Sequence, residues 1–169
     1  GVAKLTDIPL GKYYVKEKET ANGYVLDSTA REIDLTYRDQ DTAEVTYSSD
    51  WQNNRQKAEV KVLKKEKDSD RVLEGAVFAL CNKEDIVNGD VILKADTVIE
   101  ELATDKEGKL TFTADLPIGY TYYVKETSPA PGFATTDQVQ EFTFEYDGAD
   151  KETLSYEFTF EDEPTVVEI

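Results

Sequence analysis

Histidine and methionine are absent from this chain, and cysteine and tryptophan occur once each. Without histidine, the side chain that most often serves as a general base near neutral pH and as a zinc ligand is unavailable. A lone cysteine, Cys81, excludes an intrachain disulfide, so toughness outside the cell has to come from another device. Positive charge is scarce: 19 Lys and Arg stand against 36 Asp and Glu, a formal net charge of −17. Nucleic acid and anionic membrane are therefore poor partners, because their phosphates need clustered cations. No run approaches the ~20 apolar residues that cross a bilayer, so no membrane insertion is expected. No secretory leader is visible, and a start inside a repeat is expected to mark a fragment.

What is present suits sheets. The 10 Tyr and 7 Phe fit pleated surfaces better than helix interiors. Apolar and polar residues alternate in Glu59-Val60-Lys61-Val62-Leu63-Lys64, Lys109-Leu110-Thr111-Phe112, Gln140-Glu141-Phe142-Thr143-Phe144 and Tyr156-Glu157-Phe158-Thr159-Phe160. Turn signals separate these runs at Asn88-Gly89, Glu107-Gly108, Asp147-Gly148 and Pro131-Gly132. Residues 94–102 are read as a loop plus a strand around Thr97-Val98-Ile99. About seven short strands in one small domain describe a β-sandwich.

The chain also repeats itself. Tyr13-Tyr14-Val15-Lys16-Glu17 recurs as Tyr122-Tyr123-Val124-Lys125-Glu126, an offset of 109 residues (126 minus 17). Asp7-Ile8-Pro9-Leu10-Gly11 and Asp115-Leu116-Pro117-Ile118-Gly119 introduce the two copies, and Gly23-Tyr24 and Gly132-Phe133 follow them. Tandem arrays of one module make stalks or extended binding surfaces. The copies are unequal. The second is preceded by a long run from Lys57, the first only by Gly1 to Lys12. The expected division is a partial module over 1–56 holding C-terminal strands only, a complete module over 57–164, and the start of a next strand or a linker over 165–169. A module without its opening strands exposes a sheet edge and part of its core. Another chain or segment is expected to complete it, and the short linker near residues 54–57 should hold the modules end to end.

Strand parity singles out three ionisable residues. Val60, Val62 and Lys64 share one face of their strand; Phe158, Phe160 and Asp162 share another; Tyr122, Val124 and Glu126 share a third. Each charge ends an apolar stripe, and burying a charge costs several kcal/mol unless it is paired or neutralised. On parity alone two readings stand. Lys64 either snorkels at the rim with Asp162 as a surface partner, or the three groups converge in a buried site. A carboxylate pair for glycoside hydrolysis, Glu126 with Asp162, would need an open cleft and a sugar platform that scattered tyrosines do not supply.

A resemblance favours the buried site. Leu73-Glu74-Gly75-Ala76-Val77-Phe78-Ala79-Leu80, Ala103-Thr104-Asp105-Lys106-Glu107-Gly108-Lys109, Leu116-Pro117-Ile118-Gly119, Tyr122-Tyr123-Val124-Lys125-Glu126-Thr127 and Ala130-Pro131-Gly132-Phe133 together resemble the collagen-adhesin B-type (Cna B) domain, over nearly the whole chain. That family builds the repeating stalks of Gram-positive surface adhesins and sortase-assembled pili. The resemblance implies an all-β fold of tandem Ig-like, prealbumin-like β-sandwiches, the first N-terminally incomplete. It also implies a cell-wall-anchored, extracellular location, with neighbouring modules of the same protein as partners and a host surface or matrix protein as a further one. Many members form a spontaneous isopeptide bond between a first-strand Lys and a last-strand Asn or Asp, assisted by a central-strand Glu. Lys64, Asp162 and Glu126 occupy the matching places. In the first module Glu17 matches the assisting residue and Asn53 the acceptor; the partner lysine would precede Gly1, so that module is not expected to close its bond within the chain.

The chemistry is reasonable in an apolar pocket, which disfavours charge, frees a nucleophilic amine and keeps a carboxyl protonated. The protonated Glu126 would polarise the Asp162 carboxyl and shuttle protons while water leaves. Tyr122, Phe158 and Phe160 are the expected aromatic shield. The event happens once per molecule, so the chain is no turnover enzyme, and no cofactor or metal is implied. The departure is Asp162-Glu163-Pro164, where the family more often has Asn-x-Pro. The alternative reading is a host-ligand-binding adhesin module without the crosslink. Asp68-Ser69-Asp70 lacks the glycine and distal Glu of a calcium loop and reads as a hairpin turn. Cys81 reads as a small side chain on or near a strand, with no catalytic role.

Overall fold

The computed structural model describes residues 1–166, and among them every regular element is a β-strand. The expectation for 165–169 falls mostly beyond that range. Strands β1 (Gly11–Val15) and β2 (Arg31–Leu35) pair antiparallel, with Tyr13 opposite Ile33. The rest of the chain supplies β3 (Lys57–Glu66), β4 (Val77–Asn82), β5 (Ile86–Asn88), β6 (Asp90–Leu93), β7 (Val98–Ala103), β8 (Lys109–Phe112), β9 (Tyr120–Ser128), β10 (Val139–Phe144) and β11 (Thr153–Asp162). These form a four-stranded sheet in the order β10-β9-β4-β7, a three-stranded sheet β11-β3-β8 and a small β5-β6 hairpin. The hairpin adds two strands that the apolar alternation did not announce, closed by Gly89 in a left-handed conformation.

The two larger sheets form the sandwich because each has one apolar face. On β3 the inward set is Ala58, Val60, Val62 and Lys64, all buried, with exposed or half-buried residues between them. Across the core stand Phe78 and Leu80 of β4, Tyr122 and Val124 of β9, and Phe142 and Phe144 of β10. Strands β3 and β11 are the first and last strands of these two sheets in chain order, yet they lie side by side and parallel through ten pairs, from Thr153↔Lys57 to Asp162↔Glu66. A parallel pair needs a crossover, and here the crossover is everything from β4 to β10.

One glycine is required by close approach. Gly108 has φ +69°, its carbonyl accepts the Lys64 N–H at 2.7 Å, and a Cβ there would lie 2.7 Å from the Lys64 carbonyl oxygen. Its missing side chain lets the β8 turn seat on β3 at the residue that carries the buried amine.

The duplication is written in backbone hydrogen bonds. Tyr24 N–H donates to Ala21 and Val25 N–H to Asn54; 109 residues on, Phe133 donates to Ala130 and Ala134 to Glu163. Gln56 N–H donates to Gly23 as Thr165 donates to Gly132.

Gln56 also fastens the junction. It is 1% exposed, its Nε2 donates to the carbonyls of Gly148 (3.2 Å) and Lys151 (2.8 Å), and its Oε1 accepts the Asp147 N–H (3.1 Å). The Leu26 N–H reaches the Ala149 carbonyl, and Arg55 pairs with Asp115. Gln56→Ala is expected to cost roughly 1–3 kcal/mol by stranding these groups, and to speed hydrogen exchange at the Leu26 and Asp147 amides. Unchanged exchange at both amides would show that the junction does not depend on this side chain.

Candidate functional site

Three strands from both sheets deliver one charged side chain each to the sandwich interior. Parity turns Lys64 inward behind Val60 and Val62. Phe160 is the ladder partner of Lys64, so Asp162 lies two residues further along β11 on the same face, within reach of the long lysine stem. Glu126 enters from β9 in the facing sheet, opposite Phe78 of β4 in the β4–β9 register. The side chains of Lys64, Glu126 and Asp162 are all fully excluded from solvent.

Lys64 Nζ lies 3.0 Å from Glu126 Oε1 and hydrogen-bonds Asp162 Oδ1. The Glu126 contact is a charge contact out of hydrogen-bond alignment, which leaves Oε1 without a hydrogen-bond partner; Asp162 Oδ2 is the other buried oxygen without one. The remaining Glu126 oxygen, Oε2, accepts the Thr136 N–H at 3.1 Å. Burial pushes the Glu126 carboxyl up from its ordinary value, and the Asp162 charge adds to this; the Thr136 N–H and Lys64 pull the other way without reversing it. With one lysine and two carboxylates in a dry pocket, a proton on Glu126 removes the surplus negative charge.

The pocket is dried by aromatic rings. Phe78 and Phe160 are fully buried with centroids 4.9 Å apart, and Lys64 Nζ stands 5.5 Å from the Phe78 centroid. Tyr122 is fully buried and donates its hydroxyl to the Pro117 carbonyl at 2.7 Å. Phe158, expected in this shield, is half-buried instead and packs against Phe142 further along the sandwich, at 6.0 Å. Phe78 and the Thr136 amide are the participants that parity missed. Phe78 lies in a strand buried on both faces, where alternation is silent.

In the first module Glu17 and Asn53 also meet. Asn53 Nδ2 lies 2.5 Å from Glu17 Oε2, 3.1 Å from Thr20 Oγ1 and 2.9 Å from the Val25 carbonyl. Glu17 Oε2 accepts the Asp27 N–H at 2.9 Å, the counterpart of the Thr136 contact. Both side chains are half-buried. Among the described residues no His, Cys, Asp and Glu cluster could hold a metal ion. Asp68 takes a left-handed conformation in a tight turn after β3, and Cys81 is a buried core residue whose thiol burial pushes up.

The sequence pattern of the SpaA prealbumin-like fold domain matches residues 1–51 and 58–160. No curated protein matches the chain. Among solved structures, the Bacillus anthracis TIE protein is 25% identical with a TM-score of 0.66, over 95% of this chain and 26% of that one. Domains D2 and D3 of the major pilin SpaD from Corynebacterium diphtheriae are 22% identical with a TM-score of 0.43, over 63% of this chain and 46% of theirs. The shaft pilin SpaA from Lactobacillus rhamnosus GG is 19% identical with a TM-score of 0.46, over 68% of this chain and 48% of its own. The chain thus spans between a quarter and a half of each of these proteins.

Proposed function

We propose, for a chain that belongs to the SpaA prealbumin-like fold domain family, a structural role: a stalk segment of a cell-wall-anchored adhesin or pilus protein on a Gram-positive bacterium. Its second module locks itself with an amide between Lys64 and Asp162. The observation that supports this reading most is the dry triad, in which an amine touches one carboxylate and a second carboxyl with a raised pKa stands beside both.

The step balances without any other reagent. Transfer of a proton within the ion pair gives a neutral amine and a neutral carboxyl. The amine nitrogen adds to Cγ of Asp162, a Cγ–O bond breaks, and one water leaves. Protonated Glu126 suits this role. Its proton turns Oε1, an acceptor without a hydrogen bond, into a donor, and Asp162 Oδ2 is the unpartnered acceptor in the same pocket. Glu126 can donate to the carbonyl oxygen as charge develops there and then move the proton to the leaving oxygen. Burial of the rings of Phe78 and Phe160 keeps bulk water from this exchange.

The mechanical consequence follows from topology. Lys64 and Asp162 sit on the first and last strands of the domain, so an amide between them gives tension a covalent path that bypasses the fold in between.

Intact mass of the purified chain is expected to fall below the sequence mass by one water, and a linked peptide should join Lys64 to Asp162 after digestion. The Lys64→Ala variant should show the full mass. A wild-type chain at full sequence mass would overturn the crosslink and leave the host-ligand-binding module as the better reading.

A further inference from the structure

The loop that follows β9 reaches both carboxyl partners of Lys64. Residues 130–136 fold back across the chain just past β11. There the Ala134 N–H donates to the Glu163 carbonyl (3.1 Å), and the Gly132 carbonyl accepts the Thr165 N–H (2.9 Å). Glu163 directly follows Asp162. Two residues beyond Ala134, the Thr136 N–H donates to Glu126 Oε2 at 3.1 Å. Phe133 anchors the loop between these contacts. It is buried in the core, and the Arg71 guanidinium stands 5.6 Å from its ring centroid. One short stretch of backbone therefore sets both the end of the acceptor strand and the orientation of the assisting carboxyl.

The repeat shows that this arrangement is carried by backbone. In the first copy the Val25 N–H donates to Asn54 (2.8 Å), the Gly23 carbonyl accepts from Gln56 (2.8 Å), and the Asp27 N–H donates to Glu17 Oε2 (2.9 Å). Val25, Asp27, Asn54 and Gln56 stand where the second copy has Ala134, Thr136, Glu163 and Thr165. Four side chains have changed and no bond has moved. The Thr136 N–H also decides which Glu126 oxygen carries the proton. In a neutral carboxyl the carbonyl oxygen is the better acceptor, so an N–H on Oε2 leaves the proton on Oε1. Oε1 is the oxygen 3.0 Å from Lys64 Nζ, and it has no hydrogen-bond partner.

We propose that residues 130–136 are a positioning clamp for the coupling of Lys64 to Asp162. Their backbone grips the chain just past the acceptor and turns the proton-bearing oxygen of Glu126 toward the reacting pair, so the groups come into order only when the last strand is seated. The clamp rests on the amide reading above and adds no reagent to it: the N–Cγ bond forms, a Cγ–O bond breaks and water leaves. Thr136 touches none of the reacting atoms and acts through Glu126.

Thr136→Pro deletes the N–H, and Thr136→Ala keeps it. Intact mass is followed from the refolding of the uncoupled chain. Water loss should slow about 100-fold in the Pro variant, the usual effect of a misplacement of roughly 1 Å, and recover in the Ala variant. A titration separates positioning from mere sealing. Burial raises the Glu126 value, and the Thr136 N–H opposes this by favouring the carboxylate; Lys64 of β3 and Asp162 of β11 are the charged groups that face it. Loss of the N–H alone moves the Glu126 titration to higher pH, whereas a pocket opened to water moves it lower. Carboxyl carbon NMR of Lys64→Ala, with and without Thr136→Pro, reads this in chains that cannot couple. An upward move is expected. A downward or absent move overturns the clamp, as does an Ala variant as slow as the Pro variant. A Pro variant that couples at the wild-type rate overturns the clamp and leaves the amide reading intact. A wild-type chain that keeps its full mass overturns the amide reading, and the clamp's part in coupling with it.

Discussion

Lys64→Ala is expected to strip the second module of most of its resistance to heat and protease. The amide would close a loop of 98 residues, for which chain entropy alone gives roughly 4–5 kcal/mol. A small domain is stable by only about 5–15 kcal/mol in total, and each kcal/mol moves the melting point of such a domain by roughly 4–8 °C. A fall of about 20 °C or more follows. The substitution also leaves Glu126 and Asp162 buried without their cation, a loss of about 3–5 kcal/mol when one partner of a buried pair is removed. The two effects separate in the Lys64→Ala/Asp162→Ala double variant, which has no crosslink and one carboxylate fewer. It should melt above the single variant and still well below the wild type. Limited proteolysis offers a second readout. In the wild type, cuts are expected first within residues 1–57, where the 42–54 segment has no ladder, while the rest survives. A Lys64→Ala chain that melts with the wild type would show that no crosslink stabilises the domain.

Parity carried the reading of this site a long way. Lys64, Glu126 and Asp162 each end an apolar stripe, and period two put each on its strand's apolar face, while the choice of a buried site over a snorkelling rim lysine came from the resemblance. What parity could not supply is register. That Phe160 pairs with Lys64, so that Asp162 arrives diagonally beside the amine, depends on a parallel pairing between strands almost a hundred residues apart in the chain. No local pattern encodes such a pairing. Phe78 escaped for a different reason: β4 is buried on both faces, and its continuous apolar run has no phase to read. The β5-β6 hairpin was visible only through its Asn88-Gly89 turn. Residues 44–53 make the converse point. They alternate as β11 does, yet alternation makes a strand only where a partner accepts the hydrogen bonds.

Glu126 gives the second large effect. Glu126→Ala is expected to leave the chain at its full sequence mass for about 10²–10⁴ times longer after refolding, the usual contribution of a positioned acid–base group. Glu126→Gln distinguishes two roles. An amide is neutral and can donate, but it has no proton to pass on, so a relay predicts slow coupling and mere charge balance predicts none of this delay. A Gln variant that couples at the wild-type rate would remove Glu126 from the chemistry. The pH dependence carries a definite sign. Burial raises the folded-state value of this carboxyl above the ordinary 4.5. Its contribution to stability in the uncoupled chain is therefore fully present below the unfolded value and is lost as pH rises through the folded one. Lys64→Ala removes the cation that opposes that rise, so the uncoupled variant should be held best at mildly acidic pH and loosen toward neutrality. Adding Glu126→Gln to it should flatten that slope, because the group that takes up the proton is gone. A Lys64→Ala chain whose stability instead climbs with pH from 4.5 toward 7 would mean that Glu126 stays ionised in the pocket, and the proton needed to activate Asp162 would have to come from elsewhere.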